Sequence, residues 1–521
     1  MERELYLWQE ECLNRWLANK GRGMVQAVTG SGKTLMALEG ARRLEKITDR
    51  ELMVRIVVPT GALMLQWQKK LREFLSQSEE KGADGQSGTA PGQIGLRGGG
   101  HKGTCRCKYM IYVINSARYE LARQILEELQ RGKAVFLIAD ECHHYESGEN
   151  RLIFEFLPYI EPYKDYFFSM GLSATLPGGQ AWIYLSSVLG KRIYSYGFHE
   201  ASAMDTICSY DVYHIKLSFQ REERDQYEDI SSRMTAVYRN LVRNNPSLKK
   251  AGIKQRYELL RALVSDKDKK TAREAALYMN LTYKRKSLVC LASARILCAC
   301  DLIDRLAPGK KIIIFGERIS QAEELYQALD SRYPGRVGRY HSKMGEQANR
   351  NIMERFQAGG VRILIACKAV DEGVDVSDVS VGIILSGTSA QRQRVQRLGR
   401  IIRKTAGKTG AALYYLHIGE TMEDTCFLPE GTQDHLFEIE YFSEQREFYN
   451  PPYDRRARQL LEDVKDAGMP EENVEEIIRC LRLGCVRSDW TRSACFLEEQ
   501  IQKACNRKDR NYWVCMKMLH R

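Results

Sequence analysis

Between residues 27 and 34 the chain reads Ala-Val-Thr-Gly-Ser-Gly-Lys-Thr, a run that leaves few folds open. It follows the mostly apolar Met24 to Val28 and precedes the amphipathic stretch Leu35 to Leu44. Strand, tight turn and helix is the expected local structure, with Gly30 and Gly32 permitting the sharp backbone. Amides at the start of such a helix point toward an anion, so Thr29, Gly30, Ser31 and Gly32 form a candidate cradle for phosphate oxygens. In this geometry Lys33 reaches the β and γ phosphates of ATP, and the Thr34 hydroxyl coordinates the Mg²⁺ that bridges them. A second apolar run, Ala134 to Ala139, leads into Asp140-Glu141-Cys142-His143. A carboxylate ending a buried strand is costly unless it meets a metal or hydrogen-bond donors. Asp140 is thus the expected Mg²⁺ ligand, and Glu141 the residue that polarises an attacking water. A glycine-rich turn alone can be no more than a turn; the two motifs together point to ATP-driven work.

A length of 521 residues is too great for one core and predicts roughly three or four structural units. With 44% hydrophobic and 28% charged residues and no apolar run of about 18, a soluble globular chain is expected. The opening Met-Glu-Arg-Glu-Leu-Tyr lacks the long apolar core of a secretory signal, which gives a cytoplasmic expectation. A net charge of +12 favours a polyanionic partner without establishing one. The 15 cysteines are dispersed and read as reduced thiols. His101, Cys105 and Cys107 lie close enough in sequence to invite zinc, but the set lacks a fourth ligand and a standard spacing.

Two more segments extend the pattern. Gly171-Leu172-Ser173-Ala174-Thr175-Leu176 places short hydroxyl side chains after an apolar strand, and residues 396 to 403 read Gln-Arg-Leu-Gly-Arg-Ile-Ile-Arg. Arg400 and Arg403 stand one helical step apart, so both can face one γ phosphate. A solvated basic helix is the other reading of that run. In this order the segments resemble superfamily 2 helicases and translocases, over roughly residues 5 to 425. The likeness is greatest to the branch with XPB-type DNA helicases and the motor subunits of type I and type III restriction enzymes. Ala27, in place of the usual first glycine of the loop, is a variant common among helicases.

The resemblance implies roles for further residues. Gln9, in Leu7-Trp8-Gln9-Glu10, corresponds to an adenine reader; its amide can match both edges of adenine, although a surface glutamine is the blander reading. Thr60 and Gln66, in the Pro-Thr-x-x-Leu-x-x-Gln-Trp element, correspond to nucleic-acid backbone contacts, and Thr60 can equally cap a helix. Asn115 and Ser116 match a less specific phosphate-contacting strand end. His143, Ser173, Thr175 and Gln396 would couple hydrolysis to movement. Asp375, in Asp371-Glu372-Gly373-Val374-Asp375, would bond the ribose or the arginine motif, and Arg400 and Arg403 would serve the γ phosphate.

The expected fold is α/β, with two tandem RecA-like parallel-sheet lobes, a helical insertion between them and a helical C-terminal region. The expected boundaries are residues 1–207 for the first lobe, 208–305 for a basic insertion that clamps nucleic acid or merely links, 306–430 for the second lobe and 431–521 for the accessory region. Residues 76–104, rich in glycine and serine, are expected to form a mobile loop. The expected activity is ATP-dependent movement along nucleic acid, DNA by resemblance alone, with a nuclease or defence-system subunit as a candidate partner. An RNA helicase and a nucleotide-gated clamp that does not step remain the alternatives.

Overall fold

The computed structural model describes residues 5–79, 93–103, 107–306, 310–367, 378–386, 391–405, 410–421, 436–449 and 494–520, with the isolated positions 408, 423, 462 and 468. The first lobe runs α1 (Leu7–Ala18), β1 (Arg22–Ala27), α2 (Lys33–Ile47), β2 (Leu52–Val58), α3 (Gly61–Glu79), β3 (Ile94–Gly98), β4 (His101–Lys102), β5 (Tyr109–Val113), α4 (Ile114–Gln130), β6 (Ala134–Asp140), β7 (Phe167–Ser173), α5 (Gly179–Leu189), β8 (Arg192–Tyr196) and α6 (Phe198–Ala203). Its sheet has the order β4-β3-β5-β2-β6-β7-β1-β8 and is parallel except for the β3–β4 edge pair. Strands β2, β5 and β6 are buried at every position, as strands covered on both faces by helices must be, which is why they read as unbroken apolar runs. Arg55 interrupts β2 without exposure: its guanidinium is paired to buried Glu128 and donates to the carbonyls of Val54, Cys107 and Lys108.

The second lobe runs β9 (Tyr210–Leu217), α7 (Arg221–Asn244), α8 (Ser247–Lys250), α9 (Ile253–Leu263), α10 (Lys269–Leu291), α11 (Ala294–Arg305), β10 (Ile312–Gly316), α12 (Ile319–Asp330), β11 (Val337–Tyr340), α13 (Glu346–Gln357), β12 (Ile363–Cys367), β13 (Val381–Ile384), α14 (Gln391–Ile401), β14 (Ala411–Ile418), β15 (Leu436–Phe442) and β16 (Glu447–Tyr449). Its order is β11-β12-β10-β13-β14-β9-β15-β16, parallel but for the β15–β16 hairpin. Both lobes therefore have the expected α/β architecture, each a largely parallel sheet with flanking helices.

Three boundaries differ from expectation. Strand β9, assigned above to the insertion, lies deep in the second sheet, paired with β14 from Tyr210–Ala411 to Leu217–Ile418. Helix α11 is buried in the same core, so the insertion proper is the arm α7 to α10, which has a small core of its own at Leu241, Leu248, Leu260 and Ala275. The accessory region opens not with a helix but with β15, where Phe437, Ile439 and Tyr441 alternate with polar positions in the period of a one-sided strand. Helices do follow, as the pair Ala494–Lys503 and Arg507–Leu519. Helical spacing at Leu460, Leu461 and Val464, and again at Ile477, Ile478 and Leu481, predicts further helices there, but these positions lie outside the described residues. Within the expected loop at 76–104, residues 94–98 instead form β3, hydrogen-bonded in parallel to β5.

The lobes meet through the linker and α14. Cys208 N donates to the carbonyl of Ile402 at 2.9 Å, and Ile207 bridges Arg403. Leu398, Ile401 and Ile402 then join the core that extends from the first lobe.

Candidate active site

Parallel strands place all their carboxyl ends on one edge, where the following loops converge. In the first sheet Asp140 of β6 is level with Leu172 of β7, which neighbours Val25 of β1. Residues 28–34, 140–143 and 173–175, separate in sequence, thereby share one rim. Gly30 and Gly32 both have left-handed backbone, with φ of 94° and 93°, and Lys33 opens α2. The ε-ammonium of Lys33 donates to the carbonyls of Ala27 at 2.6 Å and Val28 at 3.3 Å, folded across its own loop. Burial draws its pKa below the usual lysine value, while the charges of Glu141 and Asp140 pull the other way.

Asp140 accepts from the Trp67 indole at 2.7 Å and from the Glu141 amide at 3.0 Å. Burial pushes its carboxyl up from the ordinary aspartate range, against those donors and Lys33. Glu141 takes a left-handed backbone, φ 46°, which a residue with a side chain holds only at a cost of about 1–3 kcal/mol when its surroundings demand it. That turn aims the carboxylate into the cleft and begins the short helix Cys142–Glu146. His143 Nδ1 stands 2.9 Å from Ser173 Oγ and 3.4 Å from Glu141 Oε2. Ser173 Oγ also donates to the Thr175 carbonyl at 2.7 Å and accepts from the Thr175 amide. Acid pair, histidine and hydroxyl loop thus form one connected chain.

Gln9 is buried beside the loop, its Oε1 accepting from Tyr6 N at 2.9 Å and its Nε2 donating to Gly32 O at 3.1 Å. Neighbouring Trp8 stacks on Tyr196 with ring centroids 4.6 Å apart. The opposite wall comes from α14 and the turn after it. Gln396, Arg400, Arg403 and Lys404 line the same cleft as Thr29, Gly30, Gly32, Lys33, Thr34, Asp140 and Glu141. Helix α14 approaches so closely that a Cβ on Gly399 would stand 2.5 Å from Thr29 Cβ, and one on Gly30 would stand 2.7 Å from Arg403 Cγ. Both arginines accordingly face the loop that carries Lys33.

The donor set suits a polyphosphate: two cationic side chains oppose a loop of backbone amides, and Thr29 Oγ1 is buried there without a hydrogen bond. A divalent cation bound to phosphates needs only one or two protein oxygens, and Thr34 and Asp140 both line the cleft.

Gln66 lines the cleft together with Leu63, Trp67 and Lys70. These are positions i, i+3, i+4 and i+7 of one helix, a periodicity that could have shown it. The roles of Trp67 and Lys70 at the cleft went unread. Thr60 caps α3, its Oγ1 accepting from Leu63 N at 3.3 Å. Asn115 and Ser116 lie in the first turn of α4, where Asn115 Oδ1 accepts from Arg118 at 2.6 Å. Asp375 and Cys105 lie outside the described residues. Among the described residues no group of three His, Cys, Asp or Glu could hold a metal, and no helix is long and apolar enough to cross a membrane.

Comparison with known proteins agrees with this geometry. Residues 2–178 match the family model for the type III restriction enzyme res subunit, and residues 294–405 match the helicase conserved C-terminal domain. A protein of Sulfurisphaera tokodaii named DNA 3'-5' translocase XPB2 is 26% identical over 402 residues, 77% of this chain and 79% of its own length. The human ATP-dependent RNA helicase DDX51 is 25% identical over 177 residues, 34% of this chain and 26% of its own. Among solved structures, the ATP-dependent type ISP restriction-modification enzyme LlaBIII bound to DNA matches at TM-score 0.53 and 13% identity, covering 97% of this chain and 35% of that one, a likeness of fold.

Proposed function

The chain belongs to the superfamily 2 helicases and translocases of the XPB and type III restriction branch, ATP-hydrolysing enzymes, and from that premise we propose that its track is DNA and that the cleft between its lobes is where ATP is cleaved. The observation that carries the reading is the division of the cleft. The phosphate loop and acid pair stand on one lobe, and Arg400 and Arg403 stand on the other. Neither lobe alone is complete, so hydrolysis requires closure and product release permits opening. DNA as the track is supported by the relative named a DNA translocase, which aligns with 77% of the chain.

In this account the amides of Gly30 to Thr34 hold the phosphates and Gln9 reads the adenine. Lys33 leaves the carbonyls of Ala27 and Val28 for the β and γ phosphates. Thr34 and Asp140 would hold Mg²⁺, which would neutralise phosphate charge. Glu141 orients the water for in-line attack. Arg400 and Arg403 neutralise charge that develops on the transferred group, a contribution of about 10³ to 10⁵ in rate for such arginines. His143, Ser173 and Thr175 change partners as the carboxylates change theirs, and Gln396 joins them from the second lobe. Thr60, Asn115 and Ser116, at helix starts on the strand-end rim, offer amides and hydroxyls to backbone phosphates. A restriction or defence setting, with cutting supplied by another chain, is proposed on the family match alone; purification that never yields a nuclease partner would count against it.

Triplex displacement tests the reading. A translocase strips a third strand from duplex DNA at a rate set by ATP turnover, and Glu141→Gln abolishes stripping. ATP hydrolysis with no displacement would instead identify a clamp that does not step.

A further inference from the structure

The arm carries most of the protein's charge excess. Residues 221–291 hold 17 basic and 9 acidic residues, an excess of 8 where the whole chain has +12. Lys249, Lys250, Arg261, Lys269, Lys270 and Lys284 are all exposed there. How the arm is rooted is more specific than its charge. Near its C-terminal end α10 docks on the turn between β10 and α12. Arg318 donates to Tyr283 Oη at 2.9 Å and to Ser287 Oγ at 3.0 Å, with its guanidinium 5.0 Å from the centre of the Tyr283 ring. Lys286 pairs with Glu317 at 3.3 Å, and Gln321 Nε2 donates to the Cys290 carbonyl at 2.7 Å.

The same turn grips the strand end that precedes the arginine helix. Glu317 N donates to buried Ser386 Oγ at 2.9 Å, and Phe315 O accepts from Leu385 N at 2.9 Å. Just beyond that end of the arm, fully buried Arg295 at the start of α11 donates to the carbonyls of Leu385 and Leu416, each at 2.7 Å. Leu385 and Ser386 are thus held both by the turn on which the arm docks and by the helix that follows the arm, and α14 begins five residues after Ser386. Polar contacts of fixed direction transmit a displacement that apolar packing would absorb by sliding.

We propose that Arg318 is a positioning residue that couples the basic arm, through Glu317 and Ser386, to α14, which bears Arg400, and to Arg403 just beyond it, so that a polyanion on the arm sets the arginines' approach to the nucleotide. This rests on the nucleic-acid track proposed above. It makes the arm a moving part of the second lobe, which turns grip into ATP turnover.

The test uses the full chain as wild type, Arg318→Met, the double variant Tyr283→Phe/Ser287→Ala, and Lys249→Glu/Lys250→Glu. Each is measured for ATPase without polymer, ATPase with saturating duplex DNA, duplex affinity by anisotropy across a salt series, and melting temperature. Arg318→Met and the Tyr283/Ser287 double variant should keep polymer-free turnover and duplex affinity within about twofold and lose about tenfold of the stimulation. The lysine variant should bind more weakly, with the log–log salt slope reduced by about 0.9 for each phosphate left without its lysine. Wild-type stimulation in both coupling variants, or a loss of affinity parallel to the loss of stimulation, overturns the coupling. The Tyr283/Ser287 variant decides the matter if Arg318→Met melts early. Wild-type protein that no nucleic acid stimulates overturns the track reading, and the coupling falls with it.

Discussion

Gly399→Ala adds one methyl group on α14 and should stop the motor. Alanine is the better helix former by about 1 kcal/mol, so the substitution favours α14 taken alone. In the closed cleft, however, the new Cβ would stand 2.5 Å from Thr29 Cβ, 3.1 Å from its Oγ1 and 3.2 Å from its carbonyl oxygen. Carbon atoms in contact rest at about 3.5–4.0 Å, so the lobes must part by about 1 Å. Thr29 belongs to the phosphate loop and cannot yield without moving the amides beside it. A 1 Å displacement of a catalytic group costs on the order of 10² in rate, so kcat should fall by about that factor while ATP affinity, set by the first lobe, changes by less than about threefold. Steady-state phosphate release and titration with a fluorescent ATP analogue measure the two quantities. Thr29→Gly removes the opposing Cβ, so the double variant should recover about tenfold over Gly399→Ala, a non-additivity expected only of residues in contact. Turnover of Gly399→Ala near wild type, or a double variant that merely multiplies the two losses, would refute the closed-cleft geometry.

Other outcomes follow from the same contacts. Glu141→Gln should retain ATP binding and lose about 10² to 10⁴ in hydrolysis, read by phosphate release against nucleotide affinity; turnover near wild type would remove Glu141 from the chemistry. Arg55→Leu strands Glu128 in the core and should cost about 3–5 kcal/mol in denaturant unfolding, with much of the loss recovered in Arg55→Leu/Glu128→Met. A single variant as stable as wild type would show the pair to be incidental. For Asp301, burial alone would raise the carboxyl, but hydrogen bonds from Arg446 and Tyr441 prevail and hold its pKa below the usual range. The folded value is the lower one, so this stability is complete above the unfolded pKa and lost as pH falls through the folded pKa. The stability gap between wild type and Asp301→Asn should therefore be full at neutral pH and shrink below about pH 4; a gap constant down to acid pH would contradict the assignment.

What the chain's own order of residues reveals depends on how local the signal is. The phosphate loop, the acid pair and the hydroxyl segment are contiguous patterns whose chemistry fixes residue type and spacing, and each stands on the cleft rim. Strand β9 was illegible because nothing within Tyr210–Leu217 states which sheet it joins; its partner β14 starts nearly two hundred residues later. The β15–β16 hairpin is hard to read because helical leucine spacing dominates the region beyond it, while its own signal is only the short alternation at Phe437, Ile439 and Tyr441. The helical face that brings Gln66 to the cleft is legible from the spacing of Leu63, Trp67 and Lys70. The left-handed turn at Glu141 and the closeness of Gly399 to Thr29 arise only when two distant segments meet, and no local pattern carries them.

The central claim is that ATP cleaved between the lobes is tied to DNA. Its most direct test is steady-state ATPase activity of wild type and Lys33→Ala with no polymer, single-stranded DNA, duplex DNA, forked DNA and RNA. The account predicts turnover that requires Lys33 and is stimulated by at least one form of DNA. Stimulation by RNA alone, or Lys33-dependent turnover indifferent to every polymer, would contradict it.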